Sequence, residues 1–134
     1  MFAAGATGLL ALPGAAAAQN APSSIVYEGG FEEITNSCAK DQGMTLSKST
    51  VTLTRKGNTV EVTIAGVPTM TGRQRRGGSF RAETAKPGEQ GVEGRFSATG
   101  RANDRRVQLV FVAEFYRGTT PVCTQSWDVT GSRK

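Results

Sequence analysis

Between Val107 and Val129 the chain reads VQLVFVAEFYRGTTPVCTQSWDV, a stretch that leaves few folds open. Val107, Leu109, Phe111, Ala113 and Phe115 recur at every second position, the period of a strand with one buried face. Beyond Gly118-Thr119-Thr120, Cys123, Trp127 and Val129 share one face, while Thr124, Ser126, Asp128 and Thr130 take the other. A short loop at Gly118 sets Phe111 opposite Trp127 and Leu109 opposite Val129, so both apolar faces coincide. The stretch predicts a β-hairpin with a heavily apolar inner side.

The same period governs the rest of the chain after residue 24. Ile25, Tyr27, Gly29 and Phe31 form one face of a first strand ending near Ile34. In STVTLTRKGNTVEVTIAG a Gly57-Asn58 turn tolerates positive φ. It sets Leu53 against Val62 and Val51 against Ile64, with Thr52–Thr63 and Thr54–Glu61 outside. A slip of one residue would oppose Leu53 to Glu61 and destroy the face, so this register is strongly specified. A weaker fourth strand is expected over Thr69–Arg73, and a fifth contains Phe80, Ala82 and Thr84. The sixth places Val92, Gly94, Phe96 and Ala98 on one face. A turn at Asn103-Asp104 then pairs Phe96 with Phe111 and Ala98 with Leu109.

No helical period interrupts this series. The expected fold is all-β, about eight antiparallel strands in an up-and-down meander closed into a small barrel. A β-sandwich is the alternative. In an even-stranded barrel the end of the first strand and the start of the last meet at one rim, which is where Cys38 and Cys123 fall. A Cys38–Cys123 disulfide would fasten that seam. The expected core holds Tyr27, Phe31, Phe80, Phe96, Phe111, Phe115 and Trp127. An interior of this size is either filled by side chains or holds one small apolar ligand, for which the small residues Gly29, Ala82, Gly94 and Ala98 would leave room.

Residues 1–18, MFAAGATGLLALPGAAAA, carry no charge and are small or apolar. They read as a secretory signal peptide with cleavage near Ala18, followed by a linker over 19–24 and one domain over 25–134. No Lys or Arg stands near Met1, which departs from the usual signal pattern. An uncleaved membrane anchor is the competing reading, but the run is Ala/Gly-rich, broken by Pro13, and weakly apolar for a spanning helix. The expected location is periplasmic or secreted, and two cysteines suit that oxidising compartment.

Catalysis finds little in this composition. With no histidine, the commonest general base and metal ligand is missing. A Ser-x-x-Lys spacing occurs at Ser37–Lys40, but in a polar loop and not at the start of a helix. Glu32 and Glu33 alternate faces. The sequence points to a non-enzymatic protein with no cofactor and no metal.

Charge is the informative surface property. The chain has 16 Lys+Arg against 11 Asp+Glu, a net charge of +5. In the meander, one rim gathers the second–third, fourth–fifth and sixth–seventh loops together with both chain ends. Those segments carry Arg55, Lys56, Arg73, Arg75, Arg76, Arg101, Arg105 and Arg106, joined by Arg133 and Lys134, with Asp104 as the only loop acid. Such one-sided charge attracts anions, less so as salt rises. The expected partner is an anionic lipid head group, lipopolysaccharide or another polyanion. Specific nucleic-acid recognition is not expected, because no exposed aromatics interleave the arginines for base stacking.

With Tyr27-x-Gly-x-Phe31 in the first strand and Cys123…Trp127 in the last, the chain resembles the small exported β-barrels of bacteria. These are similar to lipocalins in plan and include barrel-shaped inhibitors of proteases and lysozyme. The chain lacks the Gly-x-Trp of true lipocalins and any inhibitor motif, so the resemblance implies an architecture and no residue roles. It adds one alternative function, a secreted hydrolase inhibitor, with Gly66–Thr71 or Arg117–Pro121 as the inserting loop.

Overall fold

The computed structural model describes residues 21–134. The expected signal peptide over 1–18 and the first two linker residues lie outside the described residues. Eight strands follow in order: β1 Ser23–Asn36, β2 Lys48–Lys56, β3 Thr59–Ile64, β4 Met70–Gln74, β5 Ser79–Pro87, β6 Val92–Ala102, β7 Arg106–Arg117 and β8 Thr120–Arg133. Each pairs antiparallel with the next and β8 pairs with β1, closing an eight-stranded barrel. The sandwich alternative is thereby excluded, and a closed barrel leaves no strand edge open to another chain.

Most registers follow from alternation. Leu53 faces Val62 and Val51 faces Ile64 across the Gly57-Asn58 turn, where Gly57 takes φ 58°. Phe111 faces Trp127 and Leu109 faces Val129. One expected register is wrong. β6 pairs Ala98 with Phe111 and Phe96 with Ala113, two residues away from the expected partners. The cause is Asn103: its Oδ1 accepts N–H bonds from Arg105 and Arg106, each at 2.8 Å. That widens the turn so that Ala102 pairs with Val107. A two-residue shift preserves the faces, because the side-chain period is two. β1 also begins two residues earlier than expected. Ser23 and Ser24 already belong to β1, opposite Arg55 and Thr54, and the Ser24 and Thr54 hydroxyls hydrogen-bond at 2.8 Å. At its far end β1 passes Ile34 and reaches Asn36, through a bulge between Glu33 and Thr35.

The seam is fastened as expected. Cys38 and Cys123 form a disulfide across a sequence separation of 85, with Cα atoms 4.9 Å apart. Ser37 continues the pairing: its N–H donates to the Thr124 carbonyl, and its Oγ accepts the Thr124 N–H at 2.9 Å. The Thr35 and Ser126 hydroxyls bond at 2.7 Å.

The inner face is a packed core. Tyr27, Phe31, Phe80, Phe96, Phe111 and Trp127 are all buried, and Phe115 is half-buried. Phe111 stacks between Trp127, at 5.4 Å, and Phe96, at 6.2 Å between ring centroids. Offset aromatic pairs at such distances add to the burial of the rings themselves. The small residues that would have left room for a ligand make room for packed side chains. A Cβ on Gly94 would stand 2.8 Å from the Phe96 ring, and Ala82 and Ala98 are fully buried.

Candidate functional site at the ends of the barrel

Antiparallel order places the β2–β3, β4–β5 and β6–β7 connections and both described termini at one end. The predicted cations therefore fall there, at the end of β2 (Arg55, Lys56), around the β4–β5 turn (Arg73, Arg75, Arg76), around the β6–β7 turn (Arg101, Arg105, Arg106) and after β8 (Arg133, Lys134). These turns are tied to one another. Gln74 Nε2 donates to the Gly57 carbonyl at 2.6 Å, and the Arg133 N–H donates to the Arg105 carbonyl at 2.8 Å. All of these cations except Arg55 are exposed. Among the described residues the ion pairs are Arg81–Glu83 and Arg95–Glu93, so none of the exposed end cations is neutralised by a neighbour within 4.0 Å.

Arg55 has a different task. It follows Val51 and Leu53 on the inward parity of β2 and pairs with buried Val60. Its Nη2 donates to the Ala102 carbonyl of β6 at 3.0 Å, and its Nε is buried without a hydrogen-bond partner. Because β2 and β6 are not neighbours, this side chain reaches across the barrel end. Tyr27 does likewise from β1, its hydroxyl donating to the Asn103 carbonyl. Burial raises the Tyr27 pKa, opposed by the nearby charges of Arg55 and Arg133. Two polar bridges thus close the cationic end.

One cation was not anticipated. Arg81 on β5 lies directly opposite Arg73 on β4, extending the positive surface from the rim down the outer wall. Like charges in direct cross-strand opposition are unfavourable. Arg81 is held by Glu83 at 3.5 Å and by a bond to Thr99 Oγ1 at 3.1 Å. Its outward parity beside Phe80 and Ala82 was the available signal. Between the β4–β5 turn and β8, an open groove of about 390 Å³ is lined by Glu28, Gly77, Arg101, Asn103, Arg106 and Gln108, among others.

The opposite end carries the disulfide and the β1–β2 connection, residues 37–47. Here a buried polar residue, Gln125, escaped the sequence reading. It lies inward between Cys123 and Trp127 and is 1% exposed. Its Oε1 accepts the Met44 N–H at 2.7 Å and its Nε2 donates to the Met44 carbonyl at 3.0 Å. This two-bond grip holds the connection against the barrel. Gln125→Leu keeps most of the volume and removes both bonds, so it should lower stability by about 1–3 kcal/mol. The urea midpoint measures the loss, and faster hydrogen exchange at the Met44 amide would locate it.

The remaining candidates are dispersed. Ser37 is engaged at the seam, and Glu32 and Glu33, opposite Asp128 and Trp127 in the β1–β8 register, are both exposed. Among the described residues no group of three or more His, Cys, Asp or Glu is placed to hold a metal ion. Of the two segments considered for inhibition, Gly66–Thr71 buries Val67 and Met70 in the core. Arg117–Pro121 is a tight hairpin turn, with Arg117 paired to Thr120. Compared with known proteins, the chain matches no protein family, and no curated protein or solved structure is significantly similar to it.

Proposed function

We propose that the protein is a non-enzymatic, exported binding protein that engages an anionic partner through the cationic end of its barrel. The partner class is a phosphate-rich surface, such as anionic lipid head groups or lipopolysaccharide. The observation that carries this reading is the set of exposed arginines and lysines on interlinked turns, with no acidic neighbour paired to them among the described residues. Charges left unpaired on one end concentrate positive potential there and draw polyanions by long-range attraction. The disulfide is compatible with export to an oxidising compartment.

The test is the triple variant Arg73→Gln/Arg75→Gln/Arg76→Gln, all at exposed positions. Each basic residue near an anionic membrane surface contributes about 1 kcal/mol, so the variant should bind anionic vesicles roughly a hundredfold more weakly. Its affinity should also fall less steeply with salt. Vesicles of zwitterionic lipid supply the background. Equal binding of wild type and variant to anionic vesicles would overturn the proposal.

A further inference from the structure

The two barrel ends are finished differently. Polar bridges from Arg55 and Tyr27 to the carbonyls of Ala102 and Asn103 cross the cationic end. At the disulfide end the aromatic column rises instead into an open cup of about 510 Å³. Phe96 and Phe115 meet edge to face at 6.1 Å in its lining, with Met44, Pro68, Val92 and Val122 around them. Phe96 is nearly buried, while the other five are each half-buried. They come from five separate parts of the chain, so the cup is a product of barrel closure.

We propose that this cup is a binding site for a small, uncharged aromatic molecule. Its volume lies within the range of small-molecule pockets, about 300–1,000 Å³. A stable protein partner would need about 800 Å² of surface on each side, which so small a concavity does not offer. Edge-to-face rings present a surface on which a flat aromatic packs well. The charges that also line the cup are balanced, Asp41 and Glu89 against Lys86 and Arg117. A ligand with net charge gains nothing from such a balanced ring and would be desolvated against the Phe96 and Phe115 rings, which is costly. One wall is pre-organised: residues 37–47 carry Asp41 and Met44, and that segment is fixed by Cys38–Cys123 and by the grip of Gln125 on Met44. A wall already ordered loses little freedom when a ligand enters.

The probe is N-phenyl-1-naphthylamine, an uncharged aromatic amine whose fluorescence rises in apolar surroundings. Titrated into the oxidised protein, it should give a saturable, one-to-one enhancement. Val92→Trp fills the mouth and should weaken binding at least about tenfold. Phe115→Ala removes one of the two rings and should weaken it about three- to tenfold. Far-UV circular dichroism identifies which variants are folded, and either one suffices. The triple arginine variant should bind the probe as wild type does, which separates this site from the anion-binding end. Absence of saturable enhancement in the wild-type protein would overturn the proposal. So would wild-type affinity in the folded cup variants.

Discussion

Opening the Cys38–Cys123 bridge should lower the stability of the barrel by about 4.5 kcal/mol, as expected for a cross-link spanning 85 residues. The bridge acts chiefly on the unfolded chain. Without it, the two ends of the sheet must find each other across almost the whole described domain. With it, β1 and β8 remain tethered even when unfolded. A domain of this size is stable by only about 5–15 kcal/mol, so the loss is a large share. The thermal midpoint should drop by on the order of 20 °C. Urea denaturation of the oxidised protein, the reduced protein and the double variant Cys38→Ala/Cys123→Ala provides the measurement. Agreement between the reduced and double-alanine forms would show that the bridge, and not the packing of Cys123, carries the effect. A loss below about 1 kcal/mol would mean that the seam hydrogen bonds of Ser37 and Thr35 keep the ends together by themselves.

Trp127→Ala should cost a comparable amount, about 3–5 kcal/mol, through loss of packing. Trp127 is 1% exposed and stacks on Phe111 at 5.4 Å. It lies on an inner row running Val60, Gly72, Ala82, Ala98, Phe111, Trp127 around the barrel wall. The small residues on that row leave the centre of the barrel to the two large rings. Truncating the indole removes what they make room for, and closed strands relax only slightly to fill the void. The neighbouring Asp128 is exposed. Asp128→Ala should therefore change stability by no more than about 0.5 kcal/mol. Similar losses at the two positions would contradict the inward–outward alternation on which the fold rests.

Alternation explains both the successes and the misses of sequence reading. Wherever apolar residues held the inward parity, strand and face were legible, and across the tight Gly57-Asn58 turn the register was too, as in Val51–Ile64 and Leu53–Val62. Arg55 and Gln125 have the same parity but are polar: Arg55 was expected at the exposed rim, and Gln125 was assigned to neither face. The structure places Arg55 across the cationic end and Gln125 under the β1–β2 connection. Parity was the correct guide in both cases, because a polar side chain can lie inward when backbone groups satisfy it. The β6–β7 register failed for another reason. An Asn103 side chain that caps two backbone N–H groups lengthens the turn by two residues, and hydrophobic pattern alone does not distinguish registers that differ by two.

Sequence by itself determined the all-β class, the eight strands, the inner aromatic set, the seam disulfide and the gathering of cations at one end. Each of these depends on local period or strand order, which a linear chain carries directly. Only the tertiary structure decided how the barrel is finished at its two ends. Arg55 meets Ala102 across the sheet, Arg81 opposes Arg73 on the wall, and five separate segments meet around Phe96 and Phe115. Those juxtapositions depend on curvature and closure, which bring together residues that no local pattern connects.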